Sequence, residues 1–268
     1  MNDAPLISIA MGIYNCKSTL KEAVESIQNQ TYQNWELIMC DDASTDGTYE
    51  FALELAKSDN RIKVLKNETN LTLAPTLNKC IKESKGEFIA RMDGDDICPP
   101  TRLEKEINFL LSHPEYALVS VWMDMFDENG LFNTIKYTPA PLAHNLLKGS
   151  QFCHAGCMIR KDALESVGGY SESSDYKRVE DFDLWVRLYH KGYKGYNLQE
   201  PLYAMRDDRN AYKRRNWSSR LNEARVRKST IKYFDLPIKS YIHVAVPIIK
   251  FFVPSFVYKI AHKQNKYL

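Results

Sequence analysis

No apolar stretch in this sequence reaches the ~20 uninterrupted residues that a membrane-spanning helix needs, and no apolar signal segment precedes the first strand-like run at Leu6. Glycine and proline are scarce, at 11 each in 268 residues, and there is no internal repeat or low-complexity tract. A long disordered or repetitive part is therefore excluded. The six cysteines are scattered, mostly among apolar residues, which argues for a reducing, cytosolic setting and against a disulfide framework. Only Cys153-His154-Ala155-Gly156-Cys157 resembles a cysteine-histidine metal site. It offers three ligands on a predicted strand with no second pair nearby, which disfavours zinc. The length suffices to bury a sizeable core without staples.

Net charge is also nearly absent, at +2, but its distribution is uneven. From Arg206 onward 15 Lys/Arg face 4 Asp/Glu, a local +11, leaving −9 for residues 1–205. An acidic body with a basic end predicts an end that meets an anionic surface, membrane or nucleic acid.

What the chain does contain is alternation. Leu6–Ile13 reads as a strand covered on both faces, and Thr19 with Glu22 gives the reciprocal capping pattern of a helix start. Glu36–Cys40, Arg61–Leu65 and Glu87–Met92 read as further strands. Between them Thr48–Lys57 and Leu73–Ser84 read as helices, and Thr101 with Glu104 opens another. This order predicts an α/β fold with a mostly parallel sheet flanked by helices on both faces. Tyr116–Phe126 and Leu131–Tyr137 form a predicted hairpin around Asn129-Gly130. A strand over Phe152–Ile159 and helices over Asp162–Val167 and Val179–His190 follow. No firm boundary falls before about residue 205, so residues 1–205 are expected to be one catalytic domain. Residues 206–268 are expected to be a helical, basic and apolar tail. Its segment Leu236–Ile260 is interrupted by three prolines and reads as interfacial, lying on a membrane; a helical pair packed on the body is the alternative.

Two acidic clusters close predicted strands: Asp41-Asp42 the second, and Asp93-Gly94-Asp95-Asp96 the fourth. Ligands of open parallel sheets gather at such strand ends. Either cluster alone could be a solvated turn. Together on one sheet edge they repel unless a positive group lies between them. A divalent Mg²⁺ or Mn²⁺, which takes carboxylate and phosphate oxygens, answers that need.

With these motifs in place the sequence resembles a family 2 glycosyltransferase of the GT-A (Rossmann-like) fold, of the bacterial non-processive surface-polysaccharide type. The resemblance spans roughly residues 5–205. It rests on Ile7–Asn15, on Gln30-Thr31-Tyr32 with Trp35–Ile38 and Asp41–Thr48, on Gly86–Asp96, and on Glu180-Asp181 followed by Trp185. It implies a nucleotide-sugar-binding half over 1–100 and an acceptor-binding half over 101–205. Tyr14, Asp41 and Asp42 would bind base and ribose. Asp93 and Asp95 would hold the metal and the donor's diphosphate. Asp181 would be the general base, with Glu180 beside it.

The implied reaction is inverting transfer of one sugar from a nucleoside-diphosphate sugar, UDP-hexose or UDP-N-acetylhexosamine, to a lipid-linked saccharide acceptor. The implied setting is surface polysaccharide or lipopolysaccharide assembly at the inner face of a bacterial cell membrane. Two residues depart from the family pattern: Ala43 and Thr72 stand where glycine is usual. The Gln-x-x-Arg-Trp signature of processive synthases is absent. His154 is a weaker candidate contact for acceptor or phosphate, and Trp185 reads as packing. The competing enzyme class, a nucleotidyltransferase, would need a glycine- and lysine-rich loop after the first strand, and none stands there. A nucleic-acid-binding module would use the Arg-rich segment 206–232, but that segment has no interleaved aromatic platform.

Overall fold

The computed structural model describes residues 4–207 and 216–252. Strands β1 (Ile7–Ile13), β2 (Trp35–Asp41), β3 (Ile62–Lys66) and β4 (Phe88–Arg91) are mutually parallel, in the spatial order β3-β2-β1-β4. Helices α1 (Lys17–Gln28), α2 (Thr48–Ser58) and α3 (Leu73–Lys82) connect them. The chain moves outward from β1 to β3 and then returns to the other side of β1. The topological switch point, where open α/β sheets bind ligands, therefore lies between β1 and β4.

Burial on both faces explains why β1 and β2 read as nearly continuous apolar runs. Ile9, Met11 and Ile13 of β1 and Leu37 and Met39 of β2 join one core with Leu20, Val24 and Ile27 of α1. Ala10, Ile38 and Cys40 point the other way, into a second core with Leu77 and Ile81 of α3. Period-two alternation thus feeds two apolar layers instead of one apolar and one wet face.

The second half completes the same sheet. After α4 (Arg102–Ser112), β5 (Leu118–Asp127) and β6 (Gly130–Ile135) form the expected hairpin, with Gly130 at φ 101°. Next come β7 (Cys157–Arg160), antiparallel to β4 and β5, then α5 (Lys161–Ser166) and α6 (Glu180–His190). The strand expected over Phe152–Ile159 is shorter, because residues 152–156 form bends and a turn before pairing begins at Cys157. Strand β8 (Gly195–Arg206), parallel to β5, was not legible. Its register slips twice, around Trp122, and Glu200-Pro201 interrupts its pattern.

Both expected capping boxes fail to form. Helix α1 starts earlier, with Cys16 at the cap position, and Thr19 Oγ1 donates to the carbonyls of Cys16 and Gly94, each at 3.1 Å. Thr101 occupies the N-cap of α4 without a side-chain cap bond, and Glu104 instead accepts from Thr31 Oγ1 at 2.8 Å.

Helix α7 (Trp217–Tyr233) packs on α6 and on the 3₁₀ segments Ala143–Lys148 and Ser174–Tyr176, burying Ala224, Val226 and Ile231. Two arginines of the basic stretch, Arg220 and Arg227, are buried and paired with Glu223. Arg227 Nη1 also donates to the Leu147 carbonyl at 2.8 Å. Helix α8 (Ile242–Phe252) packs on α7 and leaves Ile242, Ile249 and Phe252 exposed. Among the described residues no helix is long and apolar enough to cross a membrane. The remainder of Leu236–Ile260, from residue 253, lies outside the described residues.

Candidate active site

Because β1 lies between β2 and β4, its exit at Tyr14 separates the two acidic strand ends. A cavity of about 590 Å³ opens on one side of Tyr14, lined by Asp42, Asn70–Thr76, Ser171–Ser174, Lys177, Arg178 and Glu180. A second, of about 420 Å³, opens on the other side and is lined by Asn15, Cys16, Ser18, Thr19, Asp93, Gly94, Asp95 and Arg206. Gly12 and Tyr14 line both. Tyr14 is 51% exposed, an unusual state for an aromatic ring at a strand end and one that offers its face to a ligand.

Asp41 and Asp42 differ in use. Asp41 is fully buried and accepts from the Ser44 amide at 3.0 Å through Oδ2, while Oδ1 has no partner among the described residues. Asp42 accepts from Asn67 Nδ2 at 2.9 Å, the Leu71 amide at 2.8 Å and the Thr72 amide at 2.9 Å. It therefore builds the 70–72 wall of the larger cavity as well as facing into it. Asn15, at φ 49°, ties the β1 exit to the following loop: its Oδ1 accepts from the Thr45 amide at 2.9 Å. Asp46, in the same acidic run, is a structural cap that accepts from the amides of Lys17 and Thr48. Ala43 and Thr72 both have positive φ, 61° and 75°. Glycine would meet that demand without strain, which gives the two departures a conformational meaning.

The second cluster divides three ways. Asp93 is held bidentately by the buried Arg91, at 2.8 and 2.6 Å. Asp96 is buried and committed inward, accepting from Tyr203 Oη at 2.7 Å and the Arg206 amide at 2.8 Å. Asp95 is exposed, and its carboxylate makes no hydrogen bond to another described side chain. Burial of its surroundings, then the charge of Asp93, raises its pKa. Ligand oxygens of the three acids lie within 4.8 Å of one another. With Asp96 spent on β8, Asp95 and Asp93 remain as hard oxygen donors open to the cavity, which fits Mg²⁺ or Mn²⁺. Gly94 lets the two acids approach the first strand: a Cβ there would sit 2.8 Å from Cys16 Sγ and 2.9 Å from Ile13 Cγ2.

Glu180 and Asp181 open α6. Glu180 reaches the larger cavity. Asp181 accepts from Ser150 Oγ at 2.9 Å, and Ser150 Oγ in turn accepts from Trp185 Nε1 at 3.1 Å. Burial raises both pKa values. The Asp181 charge adds to the rise at Glu180, and the Ser150 hydroxyl restrains it at Asp181. The Arg91 guanidinium, bonded to Asp93, also holds down Glu180 and Asp181, so one buried cation connects the two acidic groups electrostatically. Trp185 is fully buried, as its helical position suggested. His154 Nε2 lies 2.8 Å from Tyr170 Oη, and burial pushes its pKa down, so the ring is neutral. Cys153 and Cys157 are buried in the cores, and the only metal-competent group among the described residues is the aspartate cluster.

Arg91, Ser150, Tyr203 and Arg206 escaped the sequence reading. Arg91 had a usable signal: two residues before Asp93 at the end of a strand, it lies on the same side of the chain. Ser150 and Tyr203 had none, since 31 and 107 residues separate them from the carboxylates they serve.

A mostly parallel sheet that carries a carboxylate-lined cleft at its switch point is the architecture of the GT-A fold. The chain belongs to glycosyl transferase family 2, whose model matches residues 8–168, and it is a glycosyltransferase. A Bacillus subtilis protein named as glycosyltransferase EpsE is 43% identical over 99% of this chain and 96% of its own. An Escherichia coli enzyme, the UDP-Glc:α-D-GlcNAc-diphosphoundecaprenol β-1,3-glucosyltransferase WfaP, is 30% identical over 72% of this chain and 73% of its own. Among solved structures, TarS of S. aureus in complex with UDP-GlcNAc superposes with a TM-score of 0.70 at 18% identity, covering 92% of this chain and 71% of that one.

Proposed function

We propose that the protein transfers one hexose or N-acetylhexosamine from a UDP-sugar to a lipid-linked saccharide, with inversion, during bacterial surface-polysaccharide assembly. The observation that carries this reading is the division of labour around Tyr14. On one side an aromatic face and Asp42 suit a nucleoside; on the other, Asp95 offers an uncommitted carboxylate where a diphosphate would lie. Asp93 and Asp95 would hold Mn²⁺ or Mg²⁺, which supplies charge stabilisation to a departing nucleoside diphosphate when bound. Asp41 supports the same end of β2 from within the core.

A sugar hydroxyl attacks poorly until a base takes its proton, and a carboxylate whose pKa is raised toward neutrality suits that role. Asp181 is that base, oriented through Ser150, and Glu180 flanks it on the cavity wall. One in-line displacement then inverts the anomeric centre. The lipid-linked acceptor agrees with the WfaP substrate and with the C-terminal surface. There Ile238, Ile242, Ile249 and Phe252 are exposed, Phe252 against the half-exposed Trp217, in a region rich in lysine and arginine. An apolar, aromatic and basic face of this kind suits peripheral contact with an anionic membrane. The division into a catalytic unit over 1–205 and a membrane-contacting end over 206–268 follows as part of the same reading.

Binding of UDP with and without Mn²⁺, measured by calorimetry, tests the donor assignment. Metal-enhanced binding in the wild type that Asp95→Ala loses is expected. Equal binding by Asp95→Ala removes Asp95 from the metal site.

A further inference from the structure

Thr72, at the start of α3, has φ 75° and ψ 177°, a region of backbone space that glycine almost alone occupies because a Cβ collides with the flanking peptides there. A β-branched residue is among the least favourable occupants. The course of the backbone does not depend on the side chain. The Thr72 amide donates to Asp42 Oδ2 at 2.9 Å, and its carbonyl accepts from Thr76 Oγ1 at 2.7 Å. Both bonds would survive with glycine in place.

The side chain itself is half-buried on the wall of the 590 Å³ cavity, beside Asp42 and Tyr14. Its Oγ1 makes no hydrogen bond to a described residue. A strained residue that lines a ligand-sized cavity and whose hydroxyl is idle contributes nothing to the fold that glycine would not contribute better. We propose that Thr72 is a specificity-determining residue of the donor site, whose hydroxyl and methyl meet the nucleoside of a nucleoside diphosphate. The inference rests on the reading of this cavity as the donor site.

A structural side chain and a ligand-contacting one predict opposite signs. UDP with Mn²⁺ is titrated calorimetrically into wild type, Thr72→Gly, Thr72→Ala and Thr72→Ser, and each variant is melted without ligand. Thr72→Gly is expected to raise Tm by about 2–4 °C, the shift that ~1 kcal/mol gives a chain of this size. It should weaken UDP binding about three- to tenfold, the worth of one hydrogen bond. Thr72→Ala, which keeps the Cβ, should bind as weakly, and Thr72→Ser should restore most of the affinity. A lower Tm for Thr72→Gly, or wild-type affinity in both Thr72→Gly and Thr72→Ala, overturns the proposal. A wild type that binds no nucleoside diphosphate overturns the donor-site reading beneath it.

Discussion

Replacing Ser150 by alanine separates a positioned base from a merely buried carboxylate. Ser150 Oγ takes the indole N–H of Trp185 at 3.1 Å and lies 2.9 Å from Asp181 Oδ2 against 3.3 Å from the Phe152 carbonyl, so the charged and nearer carboxylate is the better acceptor for its hydroxyl proton. Burial raises the Asp181 pKa, and this hydrogen bond is the strongest influence that opposes the rise. A hydrogen bond to a charged group contributes about 1.5–3 kcal/mol, and the Phe182 amide and the Arg91 charge that also favour the Asp181 carboxylate remain after the substitution, which places the loss at the low end. A net loss near 1.4 kcal/mol corresponds to about one pKa unit.

The base must be ionised to act, so kcat/KM falls as pH drops through the Asp181 pKa. Ser150→Ala should move that acid limb upward by about one unit while leaving the high-pH plateau within a few-fold. The assay is nucleoside diphosphate release against pH, with Tm followed in parallel. A uniform loss of rate at every pH, with the limb unmoved, would refute a link between Ser150 and the base.

Asp181→Asn should abolish turnover while keeping donor affinity; loss of affinity instead would make it a binding residue. Its effect on stability has a definite sign. A carboxylate whose folded pKa lies above its unfolded value binds its proton more tightly in the native state, so its ionised form lowers stability at neutral pH. Tm of Asp181→Asn at pH 7 should therefore equal or exceed wild type, and the difference should shrink as pH falls toward the unfolded pKa; a fall of several degrees contradicts this. Tyr203→Phe strands Asp96 Oδ2 in the core and should cost about 1–3 kcal/mol, read as a lower urea midpoint. Ala43→Gly relieves a left-handed φ of 61° and should raise Tm by about 2–4 °C; a decrease would show that the alanine side chain is needed. Ile249→Asp with Phe252→Asp should reduce sedimentation with anionic liposomes without altering turnover of a soluble acceptor, and unchanged sedimentation removes this face from the membrane reading.

The parallel half of the fold was legible because β1, β2 and β4 are buried on both faces and each helix carries one apolar stripe, so local pattern and tertiary environment agree. Strand β8 was hidden because its pairing with β5 absorbs two irregularities, and a bulged strand with proline carries no clean period. The capping boxes were misread because Thr19 and Glu104 have competing partners across the fold, Gly94 and Thr31. The basic character of 206–232 was partly misleading, since Arg220 and Arg227 face inward against Glu223. At the site, strand-end position singled out the aspartates, and the family resemblance set Asp93 and Asp95 apart from Asp96. The tertiary partners give Asp96 to Tyr203 and leave Asp95 open to the cleft.

The central claim, a metal-assisted transferase using a UDP-sugar, is most directly tested by incubating the purified protein with a panel of nucleotide-sugars, with Mn²⁺ or with EDTA, and measuring the nucleoside diphosphate released. The account predicts release from a UDP-hexose or UDP-N-acetylhexosamine that requires the metal and disappears in Asp95→Ala. Release that persists undiminished in EDTA and in Asp95→Ala, or release confined to a donor other than a UDP-sugar, would contradict it.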